Sequence, residues 1–288
     1  MTCILCNMQN NLWGDNVSDL RIGDIVCRKS YGGDIPFKIV DIITKEGDDP
    51  VYVLKGLMYR VMADSRRGDL IKKDERSIYS EIAQHFQTAK RHEATRSTSD
   101  KRISFNRFSA RPGKILHLDA SKEFLDKCTA YYREGNLRPI GIPADESQQP
   151  YIVGRLLSKY HPDILVLTGH DSLKKGAQNL DSIENYSNSK YFIQAVKEAR
   201  RYEPDFDKLC IFAGACQSYF EGIMRAGANF ASSPGRVLIN ALDPATVSKR
   251  IALTDSKNIV SARELAELTI SGSEGIGGVN TRGHLVWI

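Results

Sequence analysis

No stretch of this 288-residue chain approaches the roughly 18 consecutive apolar residues of a membrane span. That argues against a membrane protein. The opening MTCILCNMQNNLWGD has neither the positive start nor the sustained apolar centre of a secretory signal, so a cytosolic protein is expected. Cys3 and Cys6 form a C-x-x-C pair, but no second such pair and no paired histidines follow to complete a zinc site, and no metal is expected. Neither a Walker motif nor a dinucleotide fingerprint is present, so no cofactor is expected. Basic charge is not concentrated: 40 Lys and Arg stand against 35 Asp and Glu, leaving a diffuse +5. A nucleic-acid binder would carry a concentrated basic face, and none is read here. Six cysteines in a chain of this length, without a secretory signal, read as free thiols.

What is present is ordinary globular material, with 41% hydrophobic residues. Residues 1–19 read as a flexible leader. From 20 to 73 the segments DIVCRKS, FKIVDII, PVYVLKGL and YRVMADS have the short β-rich pattern of strands, separated by the turn sequences YGGD and KEGDD. A small SH3-like barrel is expected there. Residues 74–112 supply a helix, with Ile78, Ile82 and Phe86 at helical spacing, and then an Arg-rich linker without periodicity.

Residues 113–288 alternate strands and helices. KILHLD, RPIGIPA, DILVLTG and KLCIFAGA read as strands, DILVLTG and KLCIFAGA as apolar ones of the kind buried on both faces, and amphipathic segments lie between them. NFASS and RVLINAL are expected to extend the sheet, and GIGG near the end reads as a loop. The expectation is an α/β, doubly wound, mostly parallel sheet.

In such sheets ligands sit beyond the carboxyl ends of the strands. DILVLTG ends at Gly169-His170-Asp171, and KLCIFAGA ends at Cys216 before an expected helix. Consecutive strands of this kind are expected to be neighbours, about 4.8 Å apart, which lets a histidine and a cysteine share one reaction centre. A helix N-terminus would lower the thiol pKa of Cys216, and its backbone N–H is suited to an oxyanion. His170 is then the candidate general base, Cys216 the candidate nucleophile.

A buried strand ending in His, followed about 46 residues later by one ending in Ala-Cys, resembles the caspase–gingipain–clostripain group of cysteine peptidases. More text, from RKSYGGDIPFKIVDI through PDILVLTGHD and FAGACQSYFEGIMRAGANFASSPGRV to GIGGVNTRG, is similar to a family of sporulation-specific proteases of spore-forming bacteria. The resemblance implies a caspase-like sheet and a mother-cell cysteine endopeptidase. It would cut spore coat and cortex-associated proteins after arginine and process itself. It implies an oxyanion hole from Gly169, Asp171 and Cys216, although Asp171 stands where the wider group has glycine.

An arginine pocket needs a carboxylate, and position 214, acidic in related basic-specific enzymes, is glycine. Asp119 at the end of the first strand is the first candidate, with Asp171 and Asp181 as alternatives and Ser232 and Ser233 at the rim. Protein substrates are the expected partners, with no nucleic acid and no membrane. A cysteine amidase and a non-catalytic coat-assembly adaptor remain the competing readings.

Overall fold

The structure is a computed structural model, and it describes residues 20–45, 47–96, 110–177 and 179–288. The expected leader and the linker residues 97–109 lie outside the described residues. The first strands are β1 (Ile25–Arg28), β2 (Phe37–Ile43), β3 (Val51–Gly56), β4 (Met62–Arg66) and β5 (Leu70–Lys72). They form one antiparallel sheet in the order β4-β3-β2-β1-β5. In β3 the side chains of Tyr52 and Leu54 go inward while Val51 and Val53 are only half-buried, as a sheet with one packed face requires. Helix α1 (Glu75–Arg96) follows and buries Ile78, Ile82, Phe86 and Ala89 along one stripe.

After the short β6 (Ala110–Arg111) comes the larger sheet. Its elements are β7 (Ile115–Asp119), α2 (Lys122–Glu134), β8 (Ile140–Pro143), α3 (Gln149–Tyr160), β9 (Ile164–Thr168), α4 (Ser189–Tyr202) and β10 (Cys210–Ala213). Then come α5 (Phe220–Arg225), β11 (Phe230–Ser232), α6 (Asp243–Leu253), β12 (Ile259–Val260), α7 (Ala262–Leu268) and α8 (Gly272–Gly275). The chain closes with β13 (Ile276–Gly278), β14 (Thr281–Arg282) and β15 (Val286–Trp287). Helix α2 begins where Ser121 accepts a hydrogen bond from the Phe124 N–H, satisfying a backbone donor that the first turn leaves unpaired.

The larger sheet has the order β13-β11-β10-β9-β7-β8, parallel throughout except for β13. The mixed α/β architecture with a mostly parallel sheet is therefore as expected. Alternate residues of one strand feed opposite faces. Ile115, Ile164, Val166 and Phe212 join one apolar cluster with α2 and α6, while Leu116, Leu165, Leu167 and Ile211 join another with α3 and α4. The first cluster also takes in Val26, Phe37, Ile39 and Leu54 of the antiparallel sheet, so one apolar layer runs between the two sheets.

Two local expectations are corrected. RVLINAL forms no ladder; Asn240 makes a single bridge to Tyr59, and buried Ile239 and Ala241 carry the segment across the strand ends. GIGG, expected as a loop, supplies β13, which pairs antiparallel with β11. Its glycines permit this, because a Cβ on Gly277 would run into the Phe220 ring and one on Gly278 into the Asn229 carbonyl and the Phe230 ring.

Candidate active site

The winding of the sheet reverses at β7, with β8 on one side and β9 on the other, and a crevice opens beyond the carboxyl ends of the strands at such a point. Asp119 ends β7, and Gly169-His170-Asp171 follows β9. Next to β9 lies β10, in register from Cys210↔Ile164 to Ala213↔Leu167. Gly214 then turns the chain at φ +110°, a backbone that suits glycine, and after Ala215 a turn follows at Cys216 and Gln217. A Cβ at 214 would press within 3.2 Å of both Ile223 Cδ1 and Ser232 Cβ.

Cys216 corrects one part of the expectation. Helix α5 begins only at Phe220, with Tyr219 as its N-cap, so the cysteine does not stand directly at the helix N-terminus. Its thiol is fully buried; Sγ accepts from the Ile239 N–H at 3.1 Å and lies 3.8 Å from the Ile239 carbonyl oxygen. Burial pushes the thiol up to about 12, the reverse of the lowering expected from a helix end. His170 is buried against Phe124, the rings stacked at 5.6 Å. Its backbone N–H donates to Glu146 Oε1 at 2.6 Å, and Nδ1 lies 3.8 Å from that same oxygen. Its carbonyl accepts from Asn188 Nδ2, and its Nε2 has no hydrogen-bond partner among the described residues. Burial lowers the imidazole pKa, with Glu146 pulling the other way.

The centre of the crevice is filled by Arg60, on the loop between β3 and β4. Gly56 closes that loop by donating its N–H to the Val61 carbonyl at 2.9 Å. A side chain at 56 would sit 2.5 Å from the Tyr59 carbonyl oxygen, so the tight closure requires glycine. The Arg60 carbonyl oxygen accepts from the Cys216 N–H at 3.2 Å and from the Asp171 N–H at 3.4 Å. Two of the three expected oxyanion donors thus meet on one carbonyl, and the third, Gly169, packs so closely on Glu146 that a Cβ would collide with its carboxylate. On either side the loop pairs as an extended strand: Tyr59 bridges Asn240 antiparallel, and Val61 bridges Asp171 in parallel.

The Arg60 side chain is fully buried. Nη1 donates to Asp119 Oδ2 at 2.6 Å, Nη2 to the Ala241 carbonyl at 3.1 Å, and Nη2 lies 3.6 Å from Cys128 Sγ. The guanidinium also lies over the Phe124 ring, 4.9 Å from its centre. Burial alone would suppress both charges; instead Arg60, with His117 Nε2 3.7 Å away, holds the Asp119 carboxyl well below the usual range, and Asp119 raises the guanidinium in turn. Thr168 Oγ1 and the Ser121 N–H complete the bonding of Asp119, at 2.9 and 2.8 Å.

All four of Arg60, Asp119, His170 and Cys216 fall in the region matched by a family profile. The profile of the YabG peptidase U57 family matches residues 21–287. The chain belongs to the YabG peptidase family. The sporulation-specific protease YabG of Bacillus subtilis (strain 168) is 38% identical over 279 residues, covering 92% of this chain and 96% of that protein. A peptidase associated with sporulation is the activity this membership carries.

The remaining candidates in this YabG-family chain are spread around the crevice. The buried Asp171 carboxylate is taken up by its own surroundings: Oδ1 accepts from the Ser172 and Asn188 N–H groups, and Oδ2 from the Ser189 and Ser218 hydroxyls. Burial still raises its pKa to about 6. These bonds tie the β9 and β10 loops together, and the carboxylate forms no hydrogen bond or ion pair with the Arg60 guanidinium. Asp181 is exposed on the intervening loop, where its carbonyl accepts from the Tyr219 hydroxyl. Ser232 Oγ is buried without a partner among the described residues. Ser233 Oγ accepts from the Gln217 N–H and donates to the Val237 carbonyl, bracing the turn after Cys216.

No cluster suited to a metal ion occurs among the described residues, and Cys3 and Cys6 lie outside them. No described helix is long and apolar enough to cross a membrane. Sequence reasoning missed Arg60, because in YRVMADS it reads as one polar position of a strand.

Proposed function

We propose that this peptidase is a cysteine endopeptidase that cuts on the carboxyl side of arginine, with Cys216 as nucleophile and His170 as general base. One observation carries the reading: an arginine whose guanidinium pairs with Asp119 has its own carbonyl oxygen on the Cys216 and Asp171 N–H groups. Those contacts are what a peptide bond needs if an oxyanion is to be stabilised at that carbonyl.

In the proposed reaction the Cys216 sulfur attacks the carbonyl carbon while His170 takes the thiol proton. The oxygen gathers negative charge against the two N–H donors. Collapse expels the amine of the next residue, which receives the proton from His170, and leaves a thioester. Water, giving its proton to His170, hydrolyses the thioester and restores the thiol. Glu146 holds the loop that carries His170. Asp119, the Ala241 carbonyl and Phe124 form the arginine pocket, with Ser232 near the turn at Gly214.

The finer fold reading goes with this chemistry: a caspase-like sheet carrying the site, and an SH3-like module from the antiparallel sheet. Spore coat and cortex-associated proteins in the mother cell are the proposed substrates. Arg60–Val61 is the chain's own bond held in this way and the first candidate for self-processing.

The test compares the wild type with Cys216→Ala and His170→Ala on an arginine-rich protein, followed on a gel and by mass spectrometry. The wild type should yield fragments ending in arginine, and both variants intact substrate. Equal fragmentation by all three would overturn the proposal, and ammonia release without fragments would favour an amidase.

A further inference from the structure

The group in the crevice is part of the protein itself, and its attachment matters. Strands β3 and β4 flank it in an antiparallel ladder that runs from Val51↔Arg66 to Lys55↔Met62, so both ends of the loop are fixed. The loop therefore meets the site without the loss of translational freedom that an external chain would suffer. Tethered segments reach local concentrations in the millimolar range, far above those of a typical protein substrate.

It is also bound at three independent places. Arg60 fills the pocket. The Tyr59 ring packs edge-on against His85 of α1 at 5.3 Å, and His85 Nε2 in turn lies 2.9 Å from Asn240 Nδ2. The backbone pairs on both flanks. With the loop in place Cys216, His170, Asp119 and Asp171 are 1% exposed or less, and no second peptide can reach them.

We propose that the β3–β4 loop is a built-in competitive inhibitor: Arg60 mimics the arginine of a substrate, and external proteins are cut only when this loop has left the crevice. The inference rests on the peptidase reading above and adds the control of that site. Cutting Arg60–Val61 would not by itself open the crevice, because the ladder holds both new ends beside it. Displacement of the antiparallel sheet, by a partner or by removal of the N-terminal segment, is what frees the pocket. Apparent activity on an external substrate is scaled down by the fraction of molecules in the open state.

The experiment uses the full chain, freshly purified, as wild type, Arg60→Gln and Tyr59→Ala. Two rates are read: alkylation of Cys216 by iodoacetamide, located by mass spectrometry, and initial hydrolysis of a benzoyl-arginyl fluorogenic amide. Both should rise at least tenfold in Arg60→Gln and several-fold in Tyr59→Ala, which keeps the Arg60–Asp119 pair intact. Should Arg60→Gln fail to fold by circular dichroism, Tyr59→Ala decides. Equal alkylation in a folded variant and the wild type would overturn the inhibitory loop. Faster alkylation without any hydrolysis would leave the loop standing as a cover and defeat the peptidase reading instead.

Discussion

Replacing Asp119 by asparagine removes one negative charge and little volume from the floor of the proposed arginine pocket. The carboxylate receives Arg60 Nη1 at 2.6 Å on Oδ2, which also accepts from Thr168, while Oδ1 accepts from the Ser121 N–H. An asparagine that keeps its oxygen toward Ser121 must turn its NH2 toward the guanidinium, donor against donor. Both partners are fully buried, so little solvent is at hand to compensate. Removing one member of a buried ion pair costs about 3–5 kcal/mol. At about 1.36 kcal/mol per tenfold in rate, kcat/KM for an arginyl substrate should fall, relative to an uncharged analogue, by between about a hundredfold and a few thousandfold. The Ala241 carbonyl still accepts from the guanidinium, which favours the lower end.

The informative assay is the ratio of kcat/KM for two peptides that differ only in arginine or citrulline before the cut. An internal competitor slows both peptides by the same factor, so the ratio is independent of how often the β3–β4 loop occupies the crevice. Citrulline keeps the shape and loses the charge, so its kcat/KM should not fall and should rise only by the factor by which the weakened Arg60–Asp119 pair frees the crevice. The arginine-to-citrulline ratio should therefore collapse by about a hundredfold or more. An unchanged ratio in a folded Asp119→Asn protein would refute the role given to Asp119 and, with it, the reading of Arg60 as a substrate mimic.

Glu146→Gln should lower kcat/KM by roughly tenfold or more, since the carboxylate positions the His170 loop. Losing its negative charge disfavours the imidazolium, so the acid limb of the pH–rate profile should move to lower pH. Asp243 is buried, accepts from the Ile270 and Ser271 N–H groups, and is pushed up to about 6 by burial. A carboxyl raised in this way binds its proton more tightly when folded, so its contribution is present at low pH and lost as pH climbs from about 4 to about 6. Asp243→Asn should therefore gain on the wild type over that window, by up to about 3 kcal/mol, in urea titrations at several pH values. Gly214→Ala should destabilise the protein by about 1–3 kcal/mol, because its φ is positive and its surroundings are closed, and thermal melts will measure it.

Much of the α/β architecture was legible in the one-dimensional pattern, for local reasons. DILVLTG and KLCIFAGA are apolar at every buried strand position except Thr168, and Ser121 marks the start of α2. Parallel neighbours bring their carboxyl ends to the same edge, so the location of His170 and Cys216 beyond adjacent strands followed from element order. The state of the thiol did not follow. It depends on where α5 begins and on Ile239, which comes from another part of the chain. RVLINAL was misread because periodicity reports burial and a crossing segment also buries residues, and GIGG because a glycine-rich run reads as a loop until its strand partner is known.

By itself, the order of residues determined most of the strands and helices, and at which edge of the sheet the candidate reactive side chains gather. Only the tertiary structure decided what stands in front of them. Arg60 reaches Asp119 across 59 positions and the Ala241 carbonyl across 181. Contacts of that span leave no trace in local periodicity. They arise because one apolar layer holds the antiparallel sheet against the larger one and carries a hairpin loop into the crevice at the point where the winding reverses.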